Sequence, residues 1–524
     1  MDSETKKFWQ RGEPLVWGTG AALSFTLVLA GVLLWVVLAN GLGVFWPDAV
    51  MQADLREGSR VLGEITREEL QSDSELRRYQ FKVGNRDLYG LDFRWVNEDA
   101  IAETSFPDDV VVLERMEYGN FYGFLQSVHL SDMQFTGHDD PWQVLMAALE
   151  RIREREEALE AREERISHLN NSVEQIQHEL KELEYEGIPE TDERYRQRLT
   201  QKNLLGREFE SIVNEINGIT YEIRKNKAVF VDAAQTEKEI VLADIVRARR
   251  PNTMGFFAKL RHYMEKILEL ITEEPRESNT EGGLFPAIFG TVLMIFIMSI
   301  LSFPLGVVAG VYLREYAREG LLVRLVRIAV NNLAGIPSIV YGIFGLGFFV
   351  YGIGAGIDQI FFPERLPAPT FGTGGILWAS LTLGLLTVPV VIVSTEEALG
   401  AIPSGVREGS FALGGTKFQT LRKLLLPMAS PGIMTGFILA MARAAGEVAP
   451  LMITGVVKLA PALPVDGNFP FIHLDRKFMH LGFHIYDIGF QSPNVEAAKP
   501  MVYVTTLLLL FSDYNVQQRH ISAQ

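Results

Sequence analysis

The stretch "REGSFALGGTKFQTLRKLLLP", residues 407–427, decides how this chain is read. Gly409 and Gly414 have the G-x-x-x-x-G spacing of a loop that cradles phosphates, but Gly415 stands where such a loop needs its lysine. No strand pattern precedes it, so the segment is not read as a nucleotide site, and the chain is not expected to be its own ATPase. What remains is a pair of short amphipathic helices around a glycine turn, carrying Arg407, Lys417, Arg422 and Lys423.

The sequence on both sides is apolar. No Asp, Glu, Lys or Arg occurs from Ile328 to Ile357 or from Leu366 to Thr395. A helix needs about 20 apolar residues to cross a bilayer. Spans are therefore expected at roughly Thr19–Ala39, Leu284–Leu313, Ile328–Gly354, Gly374–Thr395 and Gly432–Val457, with a final run from Met501. The fold class is an all-α polytopic membrane protein with about six transmembrane helices. A cleaved signal peptide is the rival reading of the first run, but its apolar core would be only about 7–15 residues.

Positive charge orients the spans. Lys6, Lys7 and Arg11 place the N-terminus in the cytoplasm. Arg314, Arg318, Arg324 and Arg327 follow the second span, and the 407–427 stretch follows the fourth. Residues 41–283 then lie outside. The last run has twelve residues before Asp513. Either that helix is short and thins the bilayer, or the C-terminus is altered.

Hydrophobic residues make up 48% of the 524, yet 22% are charged and the net charge is −16. The acidity comes mainly from the soluble part and argues against nucleic acid. With no cysteine, disulfides, cysteine-ligated metals and a cysteine nucleophile are excluded.

Within the external segment, residues 55–130 read as short strands, among them "RYQFKVG", "DVVVLERM" and "YGFLQSV". A heptad series follows at Leu145, Ile152, Leu159, Ile166, Val173 and Leu180. After a turn around Pro189, a second arm carries Phe209, Ile216, Ile223 and Phe230. Two such arms predict an antiparallel helical hairpin with a solvated charged face. Residues 255–271 have apolar side chains at helical spacing, which suits a helix on the bilayer surface or one facing the core of the insert.

Three features carry chemistry or its shadow. His480 and His484, four apart with His473 nearby, have metal-like spacing but no matching carboxylates, so packed or solvated histidines are expected and no metal or cofactor is implied. Arg443 and Glu447 stand in an otherwise apolar run, where each charge costs roughly 2.5–3.5 kcal/mol. Four apart on a helix, they form either a structural ion pair or part of a path for an anion, which the planar guanidinium suits.

The third is the 407–427 run itself, which resembles the EAA loop of ABC-importer permeases. Glu408, Gly409 and Ser410 stand for E-A-A, Gly414 for the motif's glycine, and Leu424, Leu426 and Pro427 for I-x-L-P. Gly409, Ser410 and Leu424 depart from the usual residues, while the spacing holds throughout. "NNLAGIPSIVYGIFGLG" at 331–347, "ARAAGEVAPL" at 442–451, "YLREYA" at 312–317 and "EGGLFPAIFGTVL" at 281–293 resemble the PstA-type permease of the bacterial phosphate importer, in a variant with a large insert.

The resemblance implies a type I ABC-importer permease in the bacterial inner membrane. It implies a second permease subunit, a cytoplasmic dimer of ATP-binding subunits docking on the loop and a periplasmic phosphate-binding protein, while the charges of Arg443 and Glu447 in an apolar run make them the candidates for the translocation path. The expected organisation is a tail over 1–18, a span over 19–40, a β-rich periplasmic domain over 41–140 and a hairpin over 141–250. An interfacial segment over 251–283, a permease core over 284–512 with its coupling loop at 396–430, and a tail over 513–524 complete it. Two other readings stay open: a permease for sulfate or molybdate, and a membrane-anchored scaffold or sensor.

Overall fold

The computed structural model describes residues 13–70, 76–131, 140–492 and 494–521. Lys6, Lys7 and Arg11, on which the orientation of the first span rests, lie outside them.

Helix α1 (Glu13–Gly43) leads into two antiparallel five-stranded sheets. Strands β1 (Val50–Leu55), β2 (Arg60–Leu70), β3 (Arg77–Lys82), β4 (Phe93–Asn97) and β5 (Ile101–Ser105) form the first, in the order β4-β3-β2-β1-β5. Strands β6 (Val110–Arg115) and β7 (Phe121–His129) begin the second. Side chains alternate across a strand, so an unbroken apolar run marks one buried on both faces. In β6, Val110 and Val112 pack toward Val50, Leu62 and Tyr122, while Val111 and Leu113 pack with Leu145, Ile152 and Phe230. One strand thus joins the first sheet to the root of the hairpin.

The hairpin consists of α2 (Pro141–Tyr185) and α3 (Glu193–Arg224), capped by Asp140 and Asp192. Leu159, Leu169, Ile176 and Leu180 are buried along the seam, and the Tyr195 hydroxyl near the tip donates to Glu184 Oε1 at 2.8 Å. At about 1.5 Å per residue the 45-residue first arm extends about 67 Å. The second arm stops earlier than the heptad count predicts. Phe230 lies in β8 (Lys227–Val231), which with β9 (Glu237–Val241) and β10 (Ile245–Arg249) completes the second sheet, β10-β6-β7-β8-β9. Ala228 and Phe230 alternate into the core, a period of two that coincides with the heptad position at 230. The hairpin is therefore an excursion within the second sheet, and residues 227–249 belong to the β-structure.

Helix α4 (Phe256–Thr272) packs one face on the sheets and exposes Phe256, Phe257, Met264 and Leu268 on the other. It is joined to α5 (Phe285–Val311) by a tight elbow, in which Leu284 N–H donates to Leu270 O at 2.7 Å.

Among the described residues, five helical runs are long and apolar enough to cross a membrane: Leu15–Gly43, Phe285–Tyr316, Ser338–Phe361, Ile376–Gly400 and Lys417–Gly446. After α5 comes α6 (Leu321–Leu333), then α7 (Ser338–Phe361), α8 (Ile376–Gly400), α9 (Ser404–Ala412) and α10 (Lys417–Gly446). Ile328 sits in α6 and not in the third span, because the chain turns before Pro337 and restarts at Ser338. The expected fifth span also shifts. It begins inside the 407–427 stretch and stops at Gly446, after which α11 (Ala449–Thr454) and α12 (Leu481–Tyr486) are short. The final helix, α13 (Val495–Ile521), continues through Glu496, Lys499 and Pro500, so it is a long helix packed beside α1 and not a twelve-residue one.

Helix α8 lies at the centre. A Cβ on Gly306 or Gly310 of α5 would come within 2.7 Å of Val391 or Thr395, and one on Gly432 of α10 within 2.8 Å of Ala398. Glycines four apart let the helix backbones approach closely without a hydrophobic driving force, as bundles in lipid require.

Candidate coupling and translocation site

The loop after α8 is fastened at its base by arginine. Arg407 Nη2 donates to Glu315 Oε1 and to Leu399 O, both at 2.7 Å, and its Nη1 donates to Ile402 O at 2.9 Å. The guanidinium thus takes up carbonyls left over at the end of α8 and ties them to the chain leaving α5. A second pair lies close by, with Arg327 Nε donating to Glu396 Oε1 at 3.1 Å and its Nη2 to Leu313 O at 3.2 Å. Sequence marks Arg327 only as one of the charges that orient the spans and gives no signal for Glu396, while Glu315 lies within "YLREYA" at the end of a span.

Helix α9 ends in a turn at Gly414, whose φ of +83° is left-handed backbone that a side chain disfavours. At Gly415 a Cβ would meet Ser410 Oγ at 2.8 Å and Ser410 O at 2.9 Å. A lysine there would collide with α9, which explains the failed phosphate-loop frame. Thr416 then caps α10 reciprocally with Gln419, and Ser410 Oγ lies 2.7 Å from Thr420 Oγ1, closing the two helices on each other. Leu421 and Leu425 turn inward against Val311, Leu399 and Ile402. Glu408, Gly409, Leu424 and Pro427 face out, Leu426 and Ser410 are half-buried, and Leu413 at the tip is 91% exposed with Phe411 and Phe418 beside it. Of the predicted coupling residues, Arg407 points inward and serves the joint, while Glu408 lies on the free surface.

Arg443 and Glu447 do meet, but not along one helical face. Helix α10 ends at Gly446, and Glu447 is extended, with φ −77° and ψ 131°. Arg443 Nε lies 3.5 Å from Glu447 Oε1, a loose contact across the helix end. The Arg443 side chain is 41% exposed and that of Glu447 19%. The cation sits in the last turn, where the helix dipole favours it. Behind it Ala444 packs with Tyr341, Leu383 and Leu451.

The three histidines do not converge. His480 Nδ1 accepts from Gly482 N at 3.1 Å as the cap of α12, and His473 Nε2 lies 3.0 Å from Asp466 Oδ1. Among the described residues no group of three potential ligands could hold a metal ion.

Helix directions separate two ends of the bundle. Glu315, Leu399 and Arg407 gather the end of α5, the end of α8 and α9 at one end. The start of α5, the start of α8 and the end of α10 lie at the other. Contacts of the β-structure with the bundle are made at that second end. Arg86 pairs with Glu277 just ahead of α5, and Asp92 accepts from Asn494 just ahead of α13.

The described residues thus combine five apolar helical runs with two short helices clamped around a left-handed glycine at one end of their bundle. The family described as "Binding-protein-dependent transport system inner membrane component" matches residues 302–463, from α5 through α11. A Bacillus subtilis protein named as a probable ABC transporter permease, YqgI, is 31% identical over 236 residues, covering 44% of this chain and 74% of that protein. The phosphate transport system permease protein PstA of Yersinia pestis is 38% identical over 190 residues, covering 36% of this chain and 58% of its own length. A solved MetNI methionine ABC transporter in an inward-facing conformation aligns over 46% of this chain and 94% of its own at 22% identity, with a TM-score of 0.35. The chain belongs to the family of binding-protein-dependent transport system inner membrane components. The family match leaves residues 1–301 and 464–524 outside it.

Proposed function

We propose that the chain is a non-catalytic permease subunit of an ATP-driven inorganic phosphate importer with a type I fold in the bacterial inner membrane. It pairs with a second permease subunit to enclose the path. The observation that carries this reading is the clamped joint of Arg407 and Glu315 with the Gly414 turn, within residues 302–463 that match the transport-system family. A tip of Phe411, Leu413 and Phe418 beside Glu408 gives the ATP-binding subunits an apolar surface to hold. Arg407 makes the joint stiff, so displacement of the tip on ATP binding reaches α5 and α8 together. Hydrolysis belongs to those partners.

With the loop in the cytoplasm, the opposite end and the insert lie in the periplasm, where a phosphate-binding protein delivers its cargo. Arg443, half-exposed at the outer end of α10, offers a permanent positive charge to the oxyanion, and Glu447 holds it loosely between passages. Reporters fused after Glu150 and after Gly415 test the orientation. Activity in the periplasm for the first and in the cytoplasm for the second is expected, and the reverse pattern would remove the reading. In reconstituted vesicles, ATP turnover should rise with phosphate-loaded binding protein and not with a sulfate-loaded one.

A further inference from the structure

Among the described residues, the insert touches the bundle in two separate places of unequal strength. Its base is fixed by charge. Glu269, only 2% exposed, lies 3.0 Å from Arg247 Nη1 and 2.9 Å from Lys266 Nζ, while Glu114 lies 3.0 Å from Arg247 and 3.2 Å from Lys266. These residues lock β6, β10 and α4 together beside the elbow into α5, and Arg86 reaches across to Glu277. Three successive residues there, Glu277, Ser278 and Asn279, have positive φ, and Asn279 Nδ2 donates to Lys458 O at 2.9 Å. Backbone held in that region persists only when its surroundings over-determine it.

The second place lies midway along the hairpin. His168 Nδ1–H on α2 donates to Asn468 Oδ1 at 3.0 Å, and farther along the same arm runs beside the 363–365 turn that follows α7. Both loops belong to the end of the bundle opposite the clamped joint, and they form one plate, since Gly375 N–H donates to Thr454 O and Ile376 N–H to Arg476 O. Asn468 is held firmly from behind. Asp466 accepts from Asn468 N at 2.8 Å, from Arg476 Nη1 at 2.6 Å and from His473 Nε2 at 3.0 Å. The contact with the hairpin is different in kind. The His168–Asn468 bond is a single exposed side-chain hydrogen bond, whereas Glu269 and Glu114 at the base are buried within a network of ion pairs.

We propose that the hairpin is a releasable strap, seated on the plate through His168 and Asn468 in one conformation and lifted from it in another. This rests on the transport reading above. The base grips the starts of α5 and α13, whereas the strap rests on loops that follow α7 and α10. A long stiff arm fixed at both places would prevent those helix ends from changing their separation, which alternating access requires. The exposed contact opens, and the buried charged base holds.

The chain contains no cysteine, so His168→Cys with Asn468→Cys introduces a unique pair in this subunit. The test is carried out on the assembled importer in membrane vesicles, with a short thiol linker that reductant cleaves. The linker should form across the pair, the linked protein should lose phosphate uptake, and cleavage should restore it. His168→Ala alone should keep its uptake. A linked protein that transports as fast as the cleaved one would overturn the strap, and so would failure of the linker to form. If the parent and the cleaved protein both carry no phosphate, the phosphate reading fails instead. The strap is then judged on basal ATP turnover, which must differ between linked and cleaved protein.

Discussion

Arg407 and Glu315, 92 residues apart in sequence, stand with Nη2 2.7 Å from Oε1, and through this pair the end of α5, the end of α8 and the loop helix α9 share one guanidinium. Glu315→Gln weakens a charge-assisted bond by roughly 1–3 kcal/mol. Insertion should be normal, while phosphate-stimulated ATP turnover becomes uncoupled from uptake. Arg407→Lys should not rescue, because one ammonium cannot reach Glu315 and two carbonyls in a fixed fork. Full coupling in either variant would show that the clamp is not the lever.

The turn itself gives a second test. Alanine at Gly414 must adopt a left-handed conformation at a cost of roughly 1–2 kcal/mol, and Gly414→Pro cannot adopt it at all. Co-purification of the ATP-binding subunits should fall moderately for the first and be lost for the second, with membrane insertion unchanged. Glu408→Lys, on the exposed surface of α9, should also reduce co-purification without changing the fold.

The base of the insert should be sensitive to acid. Burial, and then the adjacent Arg249, push the pKa of His262 down to about 4 from an ordinary 6.5. Its Nε2 accepts from Arg249 Nη1 at 2.7 Å, which requires the neutral ring. Between those two values the unfolded chain binds a proton that the folded one refuses, so stability is complete above pH 6.5 and declines as pH falls toward 4. Burial alone would raise the Glu114 carboxyl, but Lys266 and Arg247 bring it down to about 2 from 4.5, which extends the loss at still lower pH. Hydrogen exchange in β6 and β10 should quicken across this range, and His262→Gln should remove the upper part of the dependence. Exchange that does not change between pH 7 and 4 would contradict the assignment.

Much of this architecture is legible because it depends on local periodicity. Leu145, Ile152 and Leu159 repeat every seven residues because one helical face meets a partner, and the run Val110 to Leu113 is apolar throughout because β6 is covered on both sides. The misplaced boundaries come where two periods coincide or composition hides a break. Phe230 fits a heptad and is a strand residue. Ile328 to Gly354 is free of charge yet interrupted before Pro337, and Glu447 is four residues from Arg443 yet lies beyond the helix end. The clamp was not legible at all, since Glu315, Leu399 and Arg407 are brought together only by the packing of α5 on α8.

Arg443 and Glu447 are separated functionally by charge exchange. Arg443→Gln should abolish uptake with assembly intact. Arg443→Glu combined with Glu447→Arg moves the cation from the helix onto extended backbone, so a role in handling the anion should not survive it. Near-normal uptake by the exchanged protein would reduce the pair to a structural contact.

Uptake of labelled phosphate in a bacterial strain that lacks its own high-affinity importer and expresses this chain with its partner subunits decides whether the chain carries phosphate. ATP-dependent phosphate uptake is expected that excess unlabelled sulfate or molybdate does not compete away, and that Gly414→Pro abolishes. Accumulation of sulfate or molybdate in place of phosphate, or no uptake of any oxyanion by a correctly inserted and assembled complex, would contradict the phosphate reading.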